Sequence, residues 1–293
     1  MGIMLEEEDI NRDLSGFIAE DATWSAGYVH PGGDVMLWVA IIRPPSPSVF
    51  PPVVFIPGLG SVMENFRDAL REMSRTFDIY YVETREKRSS KVLQPHGFSV
   101  SELASDISAL VEKAGFAGNG YILMGYSLGA TTIIETFRYL PQKPLALVLA
   151  EPNAAFGFPG WLLVLARFAS PFYNLLKPFL KWYVRKFRVN TKEDYEMYSI
   201  NCRILDAADP VKISATVRAI ARYTAWDNLS SIDIPVLVAG ASKDTFHNPE
   251  EAVMIARRIA NSKYVDLVTN LQLHGAEMSL CVEEFIGTLL RNK

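Results

Sequence analysis

The chain has 293 residues, which is enough to bury a large core without disulfide bonds or structural metals. Hydrophobic residues make up 49% of it and charged residues 21%, which excludes a disordered, collagen-like or coiled-coil protein. The net charge of −4 argues against a basic protein that binds nucleic acid. The charge is uneven, because residues 152–192 carry seven basic side chains and no Asp or Glu. We therefore expect an acidic body with one cationic, apolar segment.

Targeting signals and cysteines indicate the compartment. Cys202 and Cys281 fit neither a disulfide framework nor a metal-binding spacing, and reduced thiols suit a cytoplasmic protein. The chain starts MGIML and continues with four acidic residues, so it lacks the basic start and long apolar run of a signal peptide. Basic residues and prolines interrupt the most apolar segment, 158–180, whereas a membrane-spanning helix needs about 20 apolar residues. We expect a cytoplasmic protein without a transmembrane helix.

Short apolar runs alternate with helical periodicity, which predicts an α/β fold with a mostly parallel central sheet flanked by helices. The predicted strands are 35–42, 53–56, 77–82, 121–124, 145–150, 234–239 and 264–268. The predicted helices are 62–75, 99–114, 127–140, 249–260 and 276–291. The alternation lapses in an aromatic-rich, helical segment. We therefore predict a core of residues 1–150 and 232–293, with a helical insert at 151–231.

The strongest motif is Gly125-Tyr126-Ser127-Leu128-Gly129, which stands between a predicted strand and a predicted helix. Gly-x-Ser-x-Gly in this setting is the signature of a nucleophile elbow, a sharp turn that projects the serine hydroxyl. Side chains at positions 125 and 129 would collide with the crossing backbone. Ser127 is therefore interpreted as a nucleophile rather than as an ordinary helix N-cap.

With this motif, residues 24–293 resemble the α/β-hydrolase family, whose catalytic residues follow the chain order nucleophile, acid, histidine. Ser127, Asp244 and His274 fill that order. Asp244 follows a predicted strand, and His274 stands just before the last predicted helix. The resemblance implies that Asp244 orients His274, which accepts the proton of Ser127. Glu151 is the competing acid, because some family members take theirs from the end of the preceding strand.

The other three histidines are weaker candidates than His274 for the catalytic base. His30 precedes Pro-Gly-Gly in what reads as a turn, and His96 stands in a loop between Pro and Gly. His247 is three residues beyond Asp244, so we expect it to line the same edge but to be poorly placed as the base.

The resemblance also implies an oxyanion hole made of two backbone N–H groups. Leu128 follows the nucleophile, and Leu59 belongs to a Pro57–Gly60 turn where the family usually has His-Gly. Gly58 shapes this turn. The loop 83–91 lacks the glycines that many relatives carry and holds four basic residues. A solvated surface loop is the favoured interpretation, and attraction of an anionic substrate group is the alternative.

In this family an insert at 151–231 forms a lid over the active site. Gly58, Tyr126, Trp161 and Phe172 are predicted to bind substrate, in a pocket for an apolar acyl group. The basic lid could also contact an anionic membrane surface. The predicted function is a serine hydrolase that cleaves a small-molecule ester or thioester through an acyl-enzyme, without metal or cofactor. A carbon–carbon bond hydrolase or lyase and a non-catalytic ligand-binding protein stay open, as does the oligomeric state.

Overall fold

The computed structural model describes residues 5, 13–93, 97–116, 120–158, 160, 163–164, 167, 170–189, 191, 195–244 and 247–292. Within them, one sheet of nine strands forms the centre of the molecule. The strands are β1 (Thr23–Gly32), β2 (Val35–Arg43), β3 (Val53–Ile56), β4 (Ile79–Glu83), β5 (Lys91–Val92), β6 (Ile122–Tyr126), β7 (Ala146–Ala150), β8 (Val236–Gly240) and β9 (Ser262–Asp266).

The strand order is β1-β2-β4-β3-β6-β7-β8-β9, and β5 pairs with β2. β2 is antiparallel to β1 and β4, whereas every pair from β4 through β3 to β9 is parallel. The predicted mostly parallel sheet is therefore confirmed. The edge strand β1 was not predicted, because half-exposed residues, Gly27 and Pro31 hide its pattern. His30, expected in a turn, lies within β1 beside a register irregularity.

The described residues also form α-helices of four to sixteen residues. They are α1 (Arg67–Met73), α2 (Val100–Ala114), α3 (Leu128–Thr136), α4 (Tyr173–Tyr183), α5 (Tyr195–Ala207), α6 (Pro210–Ile220), α7 (Pro249–Arg258), α8 (Asn270–Leu273) and α9 (Ala276–Arg291). Helices α2, α3 and α7 pack in one core cluster and α1 and α9 in another. Val54 and Ile56 face the first cluster and Val53 and Phe55 the second, as the alternation of side chains along a strand requires.

Two departures from the predicted elements lie near the carboxyl edge of the sheet. β9 begins and ends two residues before the predicted 264–268, and Val268 has a φ of 60°. The chain then enters α8, a short helix that the sequence pattern did not indicate. Helices α4, α5 and α6 all lie between β7 and β8, within the predicted insert.

Candidate active site

Ser127 lies in a strained turn between β6 and α3, with φ 49° and ψ −115°. Close backbone packing explains the flanking glycines. A Cβ at Gly125 would lie 2.6 Å from the carbonyl carbon of Gly129, and a Cβ at Gly129 would lie 2.2 Å from the carbonyl oxygen of Ile56. No other residue type fits either position without moving the backbone, so the local fold is that of a nucleophile elbow.

A chain of hydrogen bonds joins Ser127 to a histidine and a carboxylate. His247 Nε2 lies 2.9 Å from Ser127 Oγ, and His247 Nδ1 lies 2.7 Å from Asp244 Oδ2. In the neutral imidazole, Nδ1–H donates to the carboxylate and Nε2 accepts the serine hydroxyl. Asp244 follows β8 as predicted, and its side chain is buried. This arrangement can move a proton away from Ser127 and stabilise the imidazolium that results.

The histidine at this position is therefore His247, and the expected contact between His274 and Ser127 is wrong. His274 lies at the C-terminus of α8, where its Nδ1–H donates to the carbonyl of Asn270 at 2.9 Å. No hydrogen bond joins it to Ser127 in the described part of the chain. His274 hydrogen-bonds back to α8 because it caps the C-terminus of that helix, and for this reason its Nδ1 is not directed to Ser127.

His274 instead forms part of an aromatic cluster beneath the site. Its ring lies 5.1 Å from the ring of Tyr126 and 5.2 Å from that of Phe66. Burial lowers the pKa of His274 to about 4, although the hydrogen bond to Asn270 opposes this shift. The imidazole is therefore neutral at physiological pH. Tyr126 is itself buried and donates to the carbonyl of Leu273 at 3.0 Å.

A second carboxyl group, Glu151, lies beside the same imidazole. It follows β7 with a φ of 47°, and its Oε2 is 3.4 Å from His247 Nδ1. Its Oε1 is buried without a hydrogen-bond partner in the described structure. Burial raises the pKa of Glu151 to about 8, reinforced by Asp244 and opposed by His247. Burial also acts to lower the pKa of His247, but the adjacent carboxyl groups of Glu151 and Asp244 outweigh it and hold that pKa above its usual value.

The same three residues offer ligand atoms within 4.8 Å of one another, as a metal site would. However, Nδ1 of His247 is bound to Asp244 and Nε2 contacts Ser127. Both ring nitrogens are thus engaged in the acid–histidine–serine chain. The donor set fits that chain better than it fits a metal ion.

Asn153 is a site residue that the sequence reasoning missed. Its Nδ2 lies 3.3 Å from both Ser127 Oγ and the carbonyl oxygen of Glu151. Its own carbonyl accepts a hydrogen bond of 2.7 Å from Thr131. The one available signal was its position two residues after Glu151, at the carboxyl end of β7. Ligands bind at this edge of a parallel sheet, so polar residues there are candidates.

Comparisons with known proteins agree with the fold. A family model described as "alpha/beta hydrolase fold" matches residues 51–270. The chain belongs to the α/β-hydrolase family. A comparison with curated protein sequences gives no significant match.

Solved structures show the same fold at low sequence identity. A thermophilic esterase from Thermogutta terrifontis is 18% identical with a TM-score of 0.70, covering 90% of this chain and 99% of its own. An enol-lactonase from Burkholderia xenovorans is 19% identical with a TM-score of 0.70, and the coverage is again 90% and 99%. A bromoperoxidase from Bacillus anthracis is 17% identical with a TM-score of 0.69, covering 90% and 100%. These likenesses concern the fold.

The Gly58 turn of this α/β-hydrolase lies against Ser127. A Cβ at Gly58 would be 3.3 Å from the Cβ of Ser127. The Gly58 carbonyl accepts hydrogen bonds from Ser61 N–H at 3.1 Å and from Lys87 Nζ. Because a trans peptide points its C=O and N–H in opposite directions, the N–H of Leu59 faces away from Lys87. Leu59 also lines the cleft that contains Ser127.

Leu128 is the first residue of α3, where backbone N–H groups have no partner inside the helix. Its N–H therefore remains available beside the serine. Leu59 and Leu128 thus lie on the two segments that flank Ser127, as an oxyanion hole requires. Replacement of the family's usual His-Gly by Pro57-Gly58 leaves these main-chain groups in place.

The basic loop after β4 is not the solvated loop that the sequence favoured. Arg85, Glu86 and Lys87 are buried. Arg85 makes two hydrogen bonds to Asp106, of 2.7 and 2.8 Å, and Lys87 Nζ lies 3.3 Å from Glu86. The charges are paired internally because burial of an unpaired ion is costly. Arg85 and Lys87 therefore have internal charge partners, whereas Arg88 of the same loop is exposed and donates to the carbonyl of Ala208.

A cleft of about 570 Å³ opens above Ser127. Gly58 and Tyr126 line it, as predicted, whereas Phe172 is 61% exposed on the outer surface and does not. Trp161 lies outside the described residues. The apolar side chains in the wall are Leu59, Phe156, Phe158, Met197, Ile200 and Ile204, and the polar ones include Asn65, Asn153, Asn201, Asn248 and Asn270. Helix α5 of the insert therefore supplies one wall of the cleft.

Proposed function

We propose that this protein is a serine hydrolase that cleaves carboxylic esters or thioesters with an apolar acyl group. The observation that carries the proposal is the hydrogen-bonded chain of Ser127, His247 and Asp244 at the elbow. A helix N-cap serine would need no such partners. The chain order, with the acid before the histidine, also agrees with the family's order.

In the proposed mechanism, Ser127 Oγ attacks the acyl carbonyl carbon while its proton passes to His247 Nε2. The carbonyl oxygen becomes an oxyanion, which the N–H groups of Leu59 and Leu128 stabilise. His247 then gives its proton to the leaving alcohol or thiol as the acyl-enzyme forms. A water molecule repeats the sequence and releases the acid. Asp244 holds the imidazole in the tautomer that these steps require.

The cleft supports an apolar acyl part. Its volume of about 570 Å³ is within the usual range for small-molecule sites. Phe156, Phe158, Met197, Ile200 and Ile204 all line it, so a hydrocarbon chain would be desolvated there. The asparagines of the cleft wall provide hydrogen bonds for a polar part of the substrate.

A fluorophosphonate probe tests the nucleophile directly. We expect wild-type protein to be labelled at Ser127, and Ser127→Ala to lose the label and the hydrolysis of p-nitrophenyl esters. Ser25→Ala is the matched control, because Ser25 is exposed on the edge strand β1. A series of acyl chain lengths then measures the apolar pocket. If folded wild-type protein neither labels nor turns over esters, a non-catalytic ligand-binding role replaces this proposal.

A further inference from the structure

The outer side of helix α4 carries an unusually apolar surface. Phe172, Leu175, Phe179 and Trp182 recur at intervals of three and four residues, so they share one face of the helix. Their exposed fractions are 61%, 78%, 51% and 51%, and Phe187 beyond the helix is 61% exposed. We call these five side chains the outer α4 surface. Contiguous exposed apolar side chains of this size mark an interaction site.

The opposite side of α4 attaches this surface to the wall of the cleft. Tyr173 donates a hydrogen bond of 2.6 Å to the carbonyl of Leu205, and Lys181 Nζ lies 2.7 Å from Asp206. Both partners belong to α5, whose Met197 lines the cleft on the other side. The outer α4 surface therefore stands one helix away from the candidate active site.

Charge distinguishes this surface from an ordinary protein interface. Segment 170–189 contains five basic residues and no Asp or Glu. Lys177 and Lys181 turn towards Asp206 of α5, at 3.6 and 2.7 Å. Arg185 and Lys186 are exposed at the end of the outer α4 surface. The exposed side chains are thus aromatic and aliphatic, with a cationic border.

We propose that the outer α4 surface, with Arg185 and Lys186, docks the protein onto an anionic lipid bilayer. An in-plane helix with Phe, Leu and Trp on one face and cations beside them inserts its apolar face at the headgroup level. Trp182 suits that interface because its ring is amphipathic. Docking here would be peripheral, and among the described helices none is long and apolar enough to cross a bilayer. The proposal does not depend on Ser127 chemistry.

The experiment uses full-length Ser127→Ala protein, which cannot consume lipid, in co-sedimentation with vesicles. We expect binding to vesicles of phosphatidylcholine with 30% phosphatidylserine, weak binding to phosphatidylcholine alone, and release by high salt. Brominated lipid should quench tryptophan fluorescence in this protein and quench it less after Trp182→Phe. That conservative change preserves the fold and reports whether position 182 enters the bilayer.

Two paired substitutions separate the apolar and cationic contributions. Phe179→Ser with Trp182→Ser should lower the vesicle partition coefficient at least about tenfold, because the bilayer then loses contact with two aromatic side chains. Arg185→Glu with Lys186→Glu should lower it by a similar factor and remove the salt dependence. The matched charge control is Arg222→Glu with Arg257→Glu. These two residues are exposed outside the segment 170–189, and the control should leave binding unchanged.

Fluorophosphonate labelling of the same substitutions made with Ser127 intact, together with circular dichroism, checks that each variant is folded. Absence of binding to phosphatidylserine vesicles by folded protein would overturn the proposal. It would also be overturned if the charge control weakened binding as much as the α4 substitutions. A third contrary result is a dimer that the α4 substitutions dissociate, since the surface would then bind a second copy of the chain.

Discussion

The sharpest consequence of the site geometry concerns two histidines that the sequence did not separate correctly. The perturbation is a pair of matched variants, His247→Gln and His274→Gln. Glutamine keeps a hydrogen-bonding side chain of similar size but cannot accept and return a proton at neutral pH. Both histidines line the same cleft, so the comparison isolates their roles rather than their neighbourhood.

The expected magnitudes differ because the contacts differ. His247 makes the bonds of 2.9 Å to Ser127 and 2.7 Å to Asp244, so its loss removes general acid–base catalysis. That contribution is about 10²–10⁴ in kcat, or roughly 3–5 kcal/mol of transition-state stabilisation. His274 bonds only to the backbone of its own helix, at 2.9 Å. We expect His274→Gln to keep kcat within about tenfold and to destabilise the fold by about 1–3 kcal/mol, since a half-buried ring that packs on Tyr126 and Phe66 is removed.

Steady-state hydrolysis of a p-nitrophenyl ester gives kcat, and urea unfolding gives the free energy of unfolding for each variant. Each variant should lower a different quantity: His247→Gln lowers kcat, and His274→Gln lowers mainly the free energy of unfolding. If His274→Gln abolished turnover in folded protein while His247→Gln kept kcat within tenfold, the assignment of the base would be refuted. The hydrogen bonds of the resting structure would then not represent the reactive arrangement.

Three further predictions follow from buried groups around the site. Glu151→Gln should move the acidic limb of the pH dependence of kcat/KM to lower pH by about one unit or more, because it removes a carboxyl group that raises the pKa of His247. Lys87→Met with Glu86→Gln should lower kcat about tenfold or more with little change in KM, since the donor that orients the Gly58 carbonyl is lost. Gly129→Ala should lower the free energy of unfolding by more than about 2 kcal/mol in thermal or urea denaturation, because its Cβ would meet backbone at 2.2 Å.

Each of these predictions has a control. Asp244→Asn should lower kcat by about 10³–10⁴ rather than move the pH limb, because the imidazole loses the group that fixes its tautomer. An unshifted limb in Glu151→Gln would show that Glu151 does not act on His247. Glu86→Gln alone should retain more activity than the double variant, and equal loss would argue against an orienting role for Lys87. Gly16→Ala, where nothing lies within 4 Å of the added Cβ, should leave stability nearly unchanged.

Local patterns in the sequence predicted most of the central strands and two residues of the candidate site, Ser127 and Asp244. The apolar runs that became β3, β6, β7 and β8 are short and buried at every position, and their spacing indicates a parallel sheet. Ser127 was identifiable because the elbow restricts residue type on both sides of it. Asp244 was identifiable because an acid that follows a parallel strand lies at the same edge as the elbow.

The contact of His247 with Ser127 was not identifiable from spacing, because a separation of three positions from Asp244 is compatible with either a helical turn or an extended turn. In the structure, Asn248 caps α7, and its side chain accepts from Glu250 N–H at 3.1 Å. His247 therefore stands outside the helix, where its ring reaches both Asp244 and Ser127. The burial of Lys87 was equally hidden in the sequence. Its charge partner Glu86 is the preceding residue, but only the tertiary fold brings Lys87 Nζ to the Gly58 carbonyl.

Backbone strain occurs where the chain leaves three of the parallel strands at the carboxyl edge of the sheet. Among the described non-glycine residues, those with positive φ are Ser127, Glu151 and Val268, and each follows the carboxyl end of a parallel strand. Such a conformation costs about 1–3 kcal/mol, so it persists only where the surrounding structure imposes it. Ser127 and Glu151 both line the cleft. At Val268, a β-branched residue for which positive φ is rare, the strain turns the chain into α8. Helix α8 ends at His274, whose Nδ1–H donates to the carbonyl of Asn270 at 2.9 Å, whereas His247, in the segment after β8, lies 2.9 Å from Ser127 Oγ.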